Sequence, residues 1–379
     1  MSNDILLQKL YARPLDQIVT KWLNKIKKLQ TRGGHDVLPE NLAGDLLPWY
    51  DEHARDLPWR REITPYRVWI SEIMLQQTRI EAAREYFRRF MDALPDVAAL
   101  AAAEEDRVLK LWEGLGYYSR ARNLHRAAKL VMERYGGALP GDAAALRALP
   151  GIGDYTAGAI ASIAFGLPEP AVDGNVLRVC SRLSLCPDSI GETRVKAAFR
   201  EALRRQYPPG RCGDFTSALM ELGETVCTPG TPDCGACPLT ARCGAYREGR
   251  QADFPVMPEK RPRRIQPRTV FLLQYGGRIA LRKRPDRGLL AGLWEFPGTD
   301  GTLRPEQALA QAAAWGCEPR ELVPCGEAVH IFTHIEWHMT GYRVACGAAP
   351  DRFVWADPSE QREKFAVPSA FQAFKSIIL

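Results

Sequence analysis

The chain has 379 residues, of which 46% are hydrophobic and 25% are charged, so it is long enough to form two domains with separate cores. Its net charge of +6 permits a polyanionic partner without requiring one. The sequence contains no run of about 18 apolar residues, and its N-terminus lacks the basic and then apolar pattern of a signal peptide. We therefore predict a cytoplasmic protein that does not bind a membrane.

Residues 1–44 are predicted to form an N-terminal extension. Apolar residues such as Trp22 and Leu23 alternate at helical spacing with a basic face that includes Lys21 and Lys25. This pattern predicts a basic helix joined flexibly to the rest of the chain. A solvated helix face is a simpler explanation of the lysines than a DNA contact.

Helical patterns follow one another with short turns through residues 45–248, and strand-like alternation is absent there. This stretch is predicted to be an all-α domain. Within it, a short apolar helix ends near Pro150, and a second helix follows the turn that contains Gly151 and Gly153. Such a helical hairpin is either an ordinary packing motif or a grip for a phosphate, because its glycines let another backbone approach closely.

Two carboxylates in the helical region are candidates for catalysis. Asp173 follows a proline-rich turn and precedes an apolar helical pattern, which predicts a helix N-cap. Glu72 lies among Ile70, Ile73 and Met74, so its side chain is either on the polar side of a helix or in an apolar pocket. In the second case burial would raise its pKa and make it a general acid near neutral pH.

A glycine-flanked aromatic turn, G-L-G-Y-Y, contains Leu115 and Tyr117 and precedes two arginines. Aromatic side chains on such a turn can wedge between bases, although a buried aromatic cluster is the alternative explanation of the pattern.

The sharpest local pattern is C-x6-C-x2-C-x5-C, formed by Cys227, Cys234, Cys237 and Cys243. Four thiolates so close in sequence predict one site, which holds either tetrahedral zinc or a [4Fe-4S] cluster.

Residues 249–267 are rich in proline and arginine without periodicity and are predicted to be a linker. Residues 268–379 change to strand patterns, with predicted strands at 269–274, 278–282, 328–333 and 335–344 and helices at 305–315 and after Val367. The alternation in the last strand shifts phase after Gly341, which suggests a β-bulge. This second domain is predicted to be α+β.

These motifs together resemble the MutY family of adenine DNA glycosylases over roughly residues 45–379. The segment W-x-S-E-x-M-L-Q-Q-T around Glu72 is similar to the motif of that family that carries the proton donor. The hairpin followed by Asp173, the G-L-G-Y-Y turn and the cysteine spacing also match. The stretch LRKRPDRGLLAGLWEFPG resembles the Nudix (MutT)-like C-terminal domain of the family.

The resemblance implies a helix-hairpin-helix glycosylase domain with one structural [4Fe-4S] cluster on the four cysteines, followed by a Nudix-like domain. It implies a monofunctional enzyme, acting as a monomer in the nucleoid, that removes adenine opposite 8-oxoguanine or guanine in duplex DNA. The implied roles are Glu72, Asp173, Tyr155 and Asn175 in catalysis; Trp59, Arg60 and Ser217 in the base pocket; Gln77, Thr78, Leu115, Tyr117, Gly151 and Gly153 on DNA; and Phe332, Thr333 and His334 on 8-oxoguanine.

The chain departs from the family pattern in three places. Thr216 and Ser217 stand where the family usually has Asn-Gln or Asn-Glu, and the short Ser217 side chain raises the prospect of altered base selectivity. Thr333 stands in the place of a serine in the 8-oxoguanine loop. The segment PEQALAQAAAW lacks the glutamates of a Nudix metal site, so we expect recognition and not pyrophosphatase activity from this domain.

Two alternative functions are compatible with parts of the sequence. A thymine or uracil mismatch glycosylase shares the hairpin, the cysteines and a tyrosine at the position of Tyr155, but such relatives lack the Nudix-like domain. A lesion-binding protein without catalysis is also possible in principle. The presence of both Glu72 and Asp173 argues against it.

Overall fold

The computed structural model describes residues 37–259 and 262–378. The predicted basic helix of the N-terminal extension lies outside the described residues. A helical domain is followed by an α+β domain, as the sequence predicts. Within the described part of the chain, no helix has both the length and the apolar character needed to cross a membrane.

The helical domain is built from short helices connected by tight turns. They are α1 (Leu42–His53), α2 (Pro58–Arg61), α3 (Pro65–Leu75), α4 (Ile80–Ala93), α5 (Val97–Ala102), α6 (Glu105–Leu111), α7 (Ser119–Tyr135), α8 (Ala143–Arg147), α9 (Asp154–Ala159), α10 (Gly174–Ser184), α11 (Thr193–Arg204), α12 (Cys212–Thr225) and α13 (Gly244–Arg247). A π-helical turn, Ile160–Ala164, continues α9, and 3-10 turns occur at Thr240–Arg242 and Gln251–Asp253.

Two hydrophobic cores support this domain. The first contains large aromatic side chains such as Trp69, Phe90 and Trp112, and it draws on α3 to α9. The second contains Phe199 and Phe215 and joins α1 to α10, α11 and α12. A cavity therefore forms where the two cores adjoin, and it is lined from both sides.

The helical domain begins earlier than its predicted start at residue 45. Leu38 and Leu42 are 2% and 0% exposed and belong to the second core. The sequence did not reveal this boundary because Asn41, which precedes α1, adopts a left-handed conformation without forming a side-chain cap. The predicted linker is also shorter, because the side chain of Phe254 is buried and the carbonyl of Val256 accepts a hydrogen bond from the amide of Ile190.

The predicted hairpin is present. It consists of α8, a turn that contains Gly151 at φ 77°, and α9. A Cβ atom at position 151 would lie 2.6 Å from the Cβ of Asn123, so the turn needs glycine for both conformation and space. Downstream, Asp173 caps α10 as predicted, because its side chain accepts a hydrogen bond from the amide of Val176.

The α+β domain contains one sheet with the main strand order β3-β2-β1-β6-β5. Its strands are β1 (Arg264–Tyr275), β2 (Arg278–Lys283), β3 (Trp294–Glu295), β4 (Gly298–Asp300), β5 (Pro319–Ile331), β6 (Ile335–Cys346) and β7 (Val354–Ala356). Its helices are α14 (Pro305–Ala314), α15 (Pro358–Lys364) and α16 (Gln372–Ile378), with a 3-10 turn at Ser369–Phe371. Strands β1 and β6 form a central parallel pair, and β5 is the edge strand beside β6.

The β-bulge predicted in β6 is wrong. The pairing of β1 with β6 runs without a break from Arg264 opposite Ile335 to Gln274 opposite Ala345. The phase shift in the sequence arises because the covered face of β6 changes along the strand. Trp337 and Met339 pack in one core, and Tyr342 and Val344 pack in the other core on the opposite face. The register shifts occur instead in the neighbouring β5. This strand begins at Pro319, nine residues before the predicted start at 328, and the prediction missed its first part because an edge strand carries few apolar residues.

Direct contacts join the two domains. Leu293 and Ala366 of the α+β domain are part of the first helical core. The carboxylate of Glu113 accepts hydrogen bonds from Lys375 Nζ at 2.7 Å and from the amide of Val367 at 3.3 Å. The predicted 8-oxoguanine loop is thereby held beside the G-L-G-Y-Y turn of the helical domain.

Candidate active site

A cavity of about 440 Å³ lies between the two helical cores. It brings together every residue predicted for catalysis and for the base pocket, although they come from five separate segments of the chain. Its lining includes Trp59, Arg60, Glu72, Thr78, Tyr155, Asp173, Asn175 and Ser217. The two candidate carboxylates therefore face the same space.

Glu72 occupies an apolar pocket and not the polar side of its helix. Helix α3 is buried on nearly all sides, so it has no solvated face to which the carboxyl could turn, and Glu72 is 6% exposed. Burial raises the pKa of Glu72 to about 7, and the charge of Asp173 acts in the same direction. The hydrogen bond from Tyr155 and the nearby Arg60 oppose this rise. Glu72 can therefore hold a proton near neutral pH.

Tyr155 orients the Glu72 carboxyl. It is the second residue of α9, and its hydroxyl donates a hydrogen bond to Glu72 Oε2 at 2.5 Å. Because Oε2 accepts from the tyrosine, Oε1 is the oxygen left to carry the proton of the neutral acid. The hairpin thus supplies the side chain that fixes the acid.

Asp173 is both a helix cap and a member of the site. Its Oδ1 accepts from the amide of Val176 at 2.8 Å, and its Oδ2 accepts from Asn175 Nδ2 at 3.1 Å. Burial raises the pKa of Asp173 above its ordinary value, and these hydrogen bonds and the charge of Arg178 offset part of that rise. The donors stabilise the ionised carboxylate beside a neutral acid, which is the unlike pair that cleavage of a glycosidic bond uses.

The wall of the base pocket contains an ion-pair network that the sequence did not reveal. Arg60 donates to Glu221 Oε2 at 2.8 Å, and Arg55 binds the same carboxylate through Nε and Nη2. The side chain of Glu221 is only 1% exposed. Sequence spacing places Glu221 one helical turn from Ser217, but its partners lie more than 150 residues away, so only folding brings them together.

Of Thr216 and Ser217, the neighbouring residues of α12 that depart from the family pattern, only Ser217 faces the cavity. Tyr50, which the sequence pattern did not reveal, lines the same cavity. Thr216 is buried, and its hydroxyl interacts with Ser162 at 2.8 Å and with Tyr207 at 2.7 Å. The cavity therefore presents the hydroxyl-bearing residues Tyr50, Ser162 and Ser217 together with Arg60.

The residues predicted to enter DNA differ in exposure. Tyr117 is 49% exposed and Gln77 is exposed, and both have positive φ angles on tight turns. Leu115, in contrast, is 7% exposed and packs in the first core, so the structure does not support it as a wedge. The Leu115 side chain points into the protein, and the sequence of the turn does not determine this direction. Gly153 directly precedes α9, and Thr78 lines the cavity.

A second cavity, of about 560 Å³, lies between the domains. Phe332, Thr333 and His334 line one side of it, and the G-L-G-Y-Y turn lines the other. The hydroxyl groups of Thr333 and Tyr117 are 3.3 Å apart across this cavity. Phe332 packs against Trp337 with ring centroids 5.0 Å apart, which anchors the loop on the sheet.

The four predicted cysteine ligands line one small space. Arg182 Nη1 donates to Cys227 Sγ at 3.3 Å, and Gln251 Nε2 lies 3.7 Å from Cys234 Sγ. Such donors suit sulfurs that carry negative charge. Across residues 37–259 and 262–378, no three metal-ligating side chains converge as a single ion would require. The four thiols therefore share one site.

Comparisons with known proteins agree with this arrangement. Residues 70–205 match the HhH-GPD superfamily of base excision DNA repair proteins, and residues 269–376 match a NUDIX domain. The chain is 38% identical over 366 residues to the adenine DNA glycosylase of Mus musculus, covering 81% of this chain and 71% of the relative. It is 32% identical to that of Schizosaccharomyces pombe, covering 85% and 86%. A solved thermostable thymine-DNA glycosylase is 28% identical and covers 54% of this chain and 94% of its own, with a TM-score of 0.49.

The buried acid has a measurable effect on stability. The pKa of Glu72 is raised from 4.5 to about 7, so its contribution to stability is lost as the pH rises through that interval. Glu72→Gln should therefore become more stable than the wild type by about 3 kcal/mol at pH 8, with no difference near pH 4. Urea unfolding across this pH range measures the effect.

Glu221→Gln is the matched control, because the pKa of Glu221 is lowered by Arg55 and Arg60 and its stabilisation is present only when it is ionised. This variant should lose stability at pH 8. A Glu72→Gln protein that is less stable than the wild type at pH 8 would show that Glu72 is not a buried neutral acid.

Proposed function

The chain belongs to the family of adenine DNA glycosylases, and we propose that its substrate is adenine paired with 8-oxoguanine or guanine in duplex DNA. The protein is accordingly a DNA base excision repair enzyme that removes adenine. The observation that carries the proposal is the shared cavity of Glu72 and Asp173. The adenine must leave the base stack to reach it, at a cost of a few kcal/mol that DNA contacts offset.

In the proposed reaction, Glu72 donates its proton to N7 of the extruded adenine. Protonation turns the base into a good leaving group, and general acids of this kind contribute about 10² to 10⁴ in rate. The raised pKa of Glu72 and its hydrogen bond from Tyr155 support this role. Arg60 and Trp59 form the pocket wall against which the purine is held.

Asp173 is proposed to stabilise the positive charge that develops on the sugar as the bond to the base breaks. An ionised carboxylate in a site that excludes water acts strongly on a charge formed beside it. Asn175, Val176 and Arg178 support this role because they favour the ionised state of Asp173. Water then completes the hydrolysis at the anomeric carbon.

We propose that the enzyme is monofunctional, so that it removes the base without cutting the strand. Strand cleavage by related bifunctional glycosylases uses a lysine amine that attacks the sugar carbon. Tyr155 occupies that position in the hairpin and cannot form a Schiff base. Its hydroxyl is engaged with Glu72, which supports a positioning role instead.

The α+β domain is proposed to recognise 8-oxoguanine through Phe332, Thr333 and His334. Their position on the interdomain cavity, opposite the exposed Tyr117, supports contact with the base that the adenine leaves unpaired. Thr333 retains the hydroxyl of the family's serine and adds a methyl group. DNA phosphates are proposed to contact the hairpin turn at Gly151 and Gly153, and Gln77 to enter the duplex.

Ser217 is proposed to broaden the base selectivity of the pocket. A glutamine or glutamate here would present a fixed donor or acceptor to the base edge, whereas hydroxyl groups donate or accept as needed. The hydroxyl-bearing residues Tyr50, Ser162 and Ser217 all line the cavity, which supports this interpretation. The pocket is then expected to accept purines that differ at their hydrogen-bonding edge.

We further propose that Cys227, Cys234, Cys237 and Cys243 hold one [4Fe-4S] cluster. Such a cluster supplies a structural crosslink for its loop, and no step of base removal uses it. The donors Arg182 and Gln251 support the proposal, since they would compensate the negative charge of the cluster sulfurs.

The function is tested by single-turnover kinetics on two duplexes. Adenine opposite 8-oxoguanine should be removed, thymine opposite guanine should not, and Glu72→Gln should lose about 10²-fold or more in rate while still binding DNA. Glu133→Gln, an exposed site outside the cavity, is the control. Preferential removal of thymine would identify a mismatch thymine glycosylase, and tight binding without excision a lesion-binding protein.

Monofunctionality is tested by reduction with borohydride during turnover. The wild type should give no covalent complex with DNA, because Tyr155 offers no amine to the sugar. A bifunctional endonuclease III enzyme assayed in parallel is the positive control. Efficient trapping of the wild-type chain would contradict the proposal.

Base selectivity is tested by Ser217→Gln. Restoring a long amide should favour adenine over guanine opposite 8-oxoguanine by up to about 10-fold, the size of one well-placed hydrogen bond. Excision rates for A, G and T opposite 8-oxoguanine measure it. Thr225→Gln, on the same helix but outside the cavity, should leave the preference unchanged. An identical preference in the Ser217 variant would remove this position from base discrimination.

Metal content tests the cluster. The purified chain should contain iron and acid-labile sulfide in equal amounts, and Cys237→Ala should lose both. Cys325→Ala, in the α+β domain, is the control and should retain them. Stoichiometric zinc in place of iron would contradict the assignment.

A further inference from the structure

Asn175 is held between two carboxylates, and only one of them has a role so far. Its Nδ2 lies 3.1 Å from Asp173 Oδ2 and 3.3 Å from Glu224 Oε2. Its Oδ1 accepts from Arg178 Nη2 at 2.8 Å. Because the amide nitrogen only donates and the amide oxygen only accepts, these three contacts select one orientation of the amide. In that orientation Asn175 donates to Asp173.

Helix α12 provides a seat for Asn175 that consists of Gly223 and Glu224. A Cβ atom at Gly223 would lie 2.6 Å from the Cβ of Asn175, so only glycine lets α12 approach this closely. Arg178 Nη2 also donates to the carbonyl of Gly223 at 2.7 Å. Two consecutive residues of α12 therefore contact Asn175, one through its backbone and one through its carboxylate.

The carboxylate of Glu224 lies where its negative charge would weaken the binding of DNA. It is exposed and lines the mouth of the cavity, where DNA must approach. A negative charge beside phosphates opposes binding. In the part of the chain that the structure describes, Glu224 forms no salt bridge, and Asn175 is its one hydrogen-bonding partner. Its charge acts on Arg55 and Arg178 only at a distance, so the Asn175 amide is the group that the carboxylate contacts directly.

We propose that Glu224 is a positioning residue for adenine removal, which by accepting a hydrogen bond keeps the Asn175 amide directed at Asp173. The inference rests on the role proposed above for Asp173. With Asn175 fixed, the Asp173 carboxylate keeps both of its donors, remains ionised and faces the sugar. Without Glu224, the amide is free to turn towards solvent.

The pH dependence of the rate separates positioning from a general effect of charge. The ionisable groups that act on Asp173 are Glu72 from α3, Tyr155 from α9, and Arg178 and Cys180 from α10, while Glu224 from α12 faces the Asn175 amide. Loss of the Asn175 donor makes the ionised form of Asp173 less favourable, so its pKa rises. The acidic limb of the rate profile then moves to higher pH.

The test compares Glu224→Ala with Glu224→Gln in single-turnover excision of adenine opposite 8-oxoguanine. The alanine variant should lose about 5-fold in rate, in line with one lost hydrogen bond, and its acidic limb should move to higher pH. The glutamine variant keeps an acceptor without the charge, and should recover most of the rate and the wild-type limb. Both variants should bind DNA at least as tightly as the wild type.

Two further variants make the result unambiguous. Gly223→Ala displaces Asn175 while leaving Glu224 in place and should show the same shift of the limb. Glu133→Ala, an exposed carboxylate away from the cavity, is the control. A wild-type rate and limb in Glu224→Ala overturns the proposal, as does an equal loss in the alanine and glutamine variants without a shift. A wild-type rate in Asp173→Asn would instead refute the proposed function.

Discussion

The burial of one carboxyl group underlies the chemistry that we propose for this enzyme. Glu72 sits in a helix that is enclosed on nearly all sides, and the loss of its hydration raises its pKa to about 7. Tyr155 and Arg60 limit this rise and fix the group in place. The raised pKa of Glu72 lowers the stability of the folded protein near neutral pH, and the same raised pKa lets Glu72 act as the acid that we propose. Stability and catalysis are therefore opposed at this residue.

The two helical cores explain why the carboxylates meet. Glu72 belongs to the first core, whereas Asp173 caps a helix of the second, so their distance depends on how the cores adjoin. The hairpin spans this junction, and Tyr155 reaches from it to Glu72. Helix α12 closes the cavity from the far side with Ser217, Glu221 and the seat of Asn175. Both the acid and its partner are thus oriented by residues from other elements.

The α+β domain packs directly against the helical domain. Glu113 joins Lys375 and Val367, and Tyr117 meets Thr333 at the interdomain cavity. This arrangement holds two cavities at fixed separation, one that we propose for the extruded adenine and one that we propose for the base opposite. A duplex that carries both bases can engage them together, which is the basis of the specificity that we propose.

The sequence by itself determined the two-domain organisation, the hairpin, the cap at Asp173 and the cysteine site, because glycine, proline, caps and cysteine spacing act over a few residues. The phase shift of β6 was visible but misassigned, since alternation cannot distinguish a bulge from burial on two faces. Only the tertiary structure decided that Glu72 is buried, that Leu115 points inward, and that Arg55, Glu221 and Glu224 belong to the site. These properties depend on contacts between residues that are distant in sequence, which no local pattern encodes.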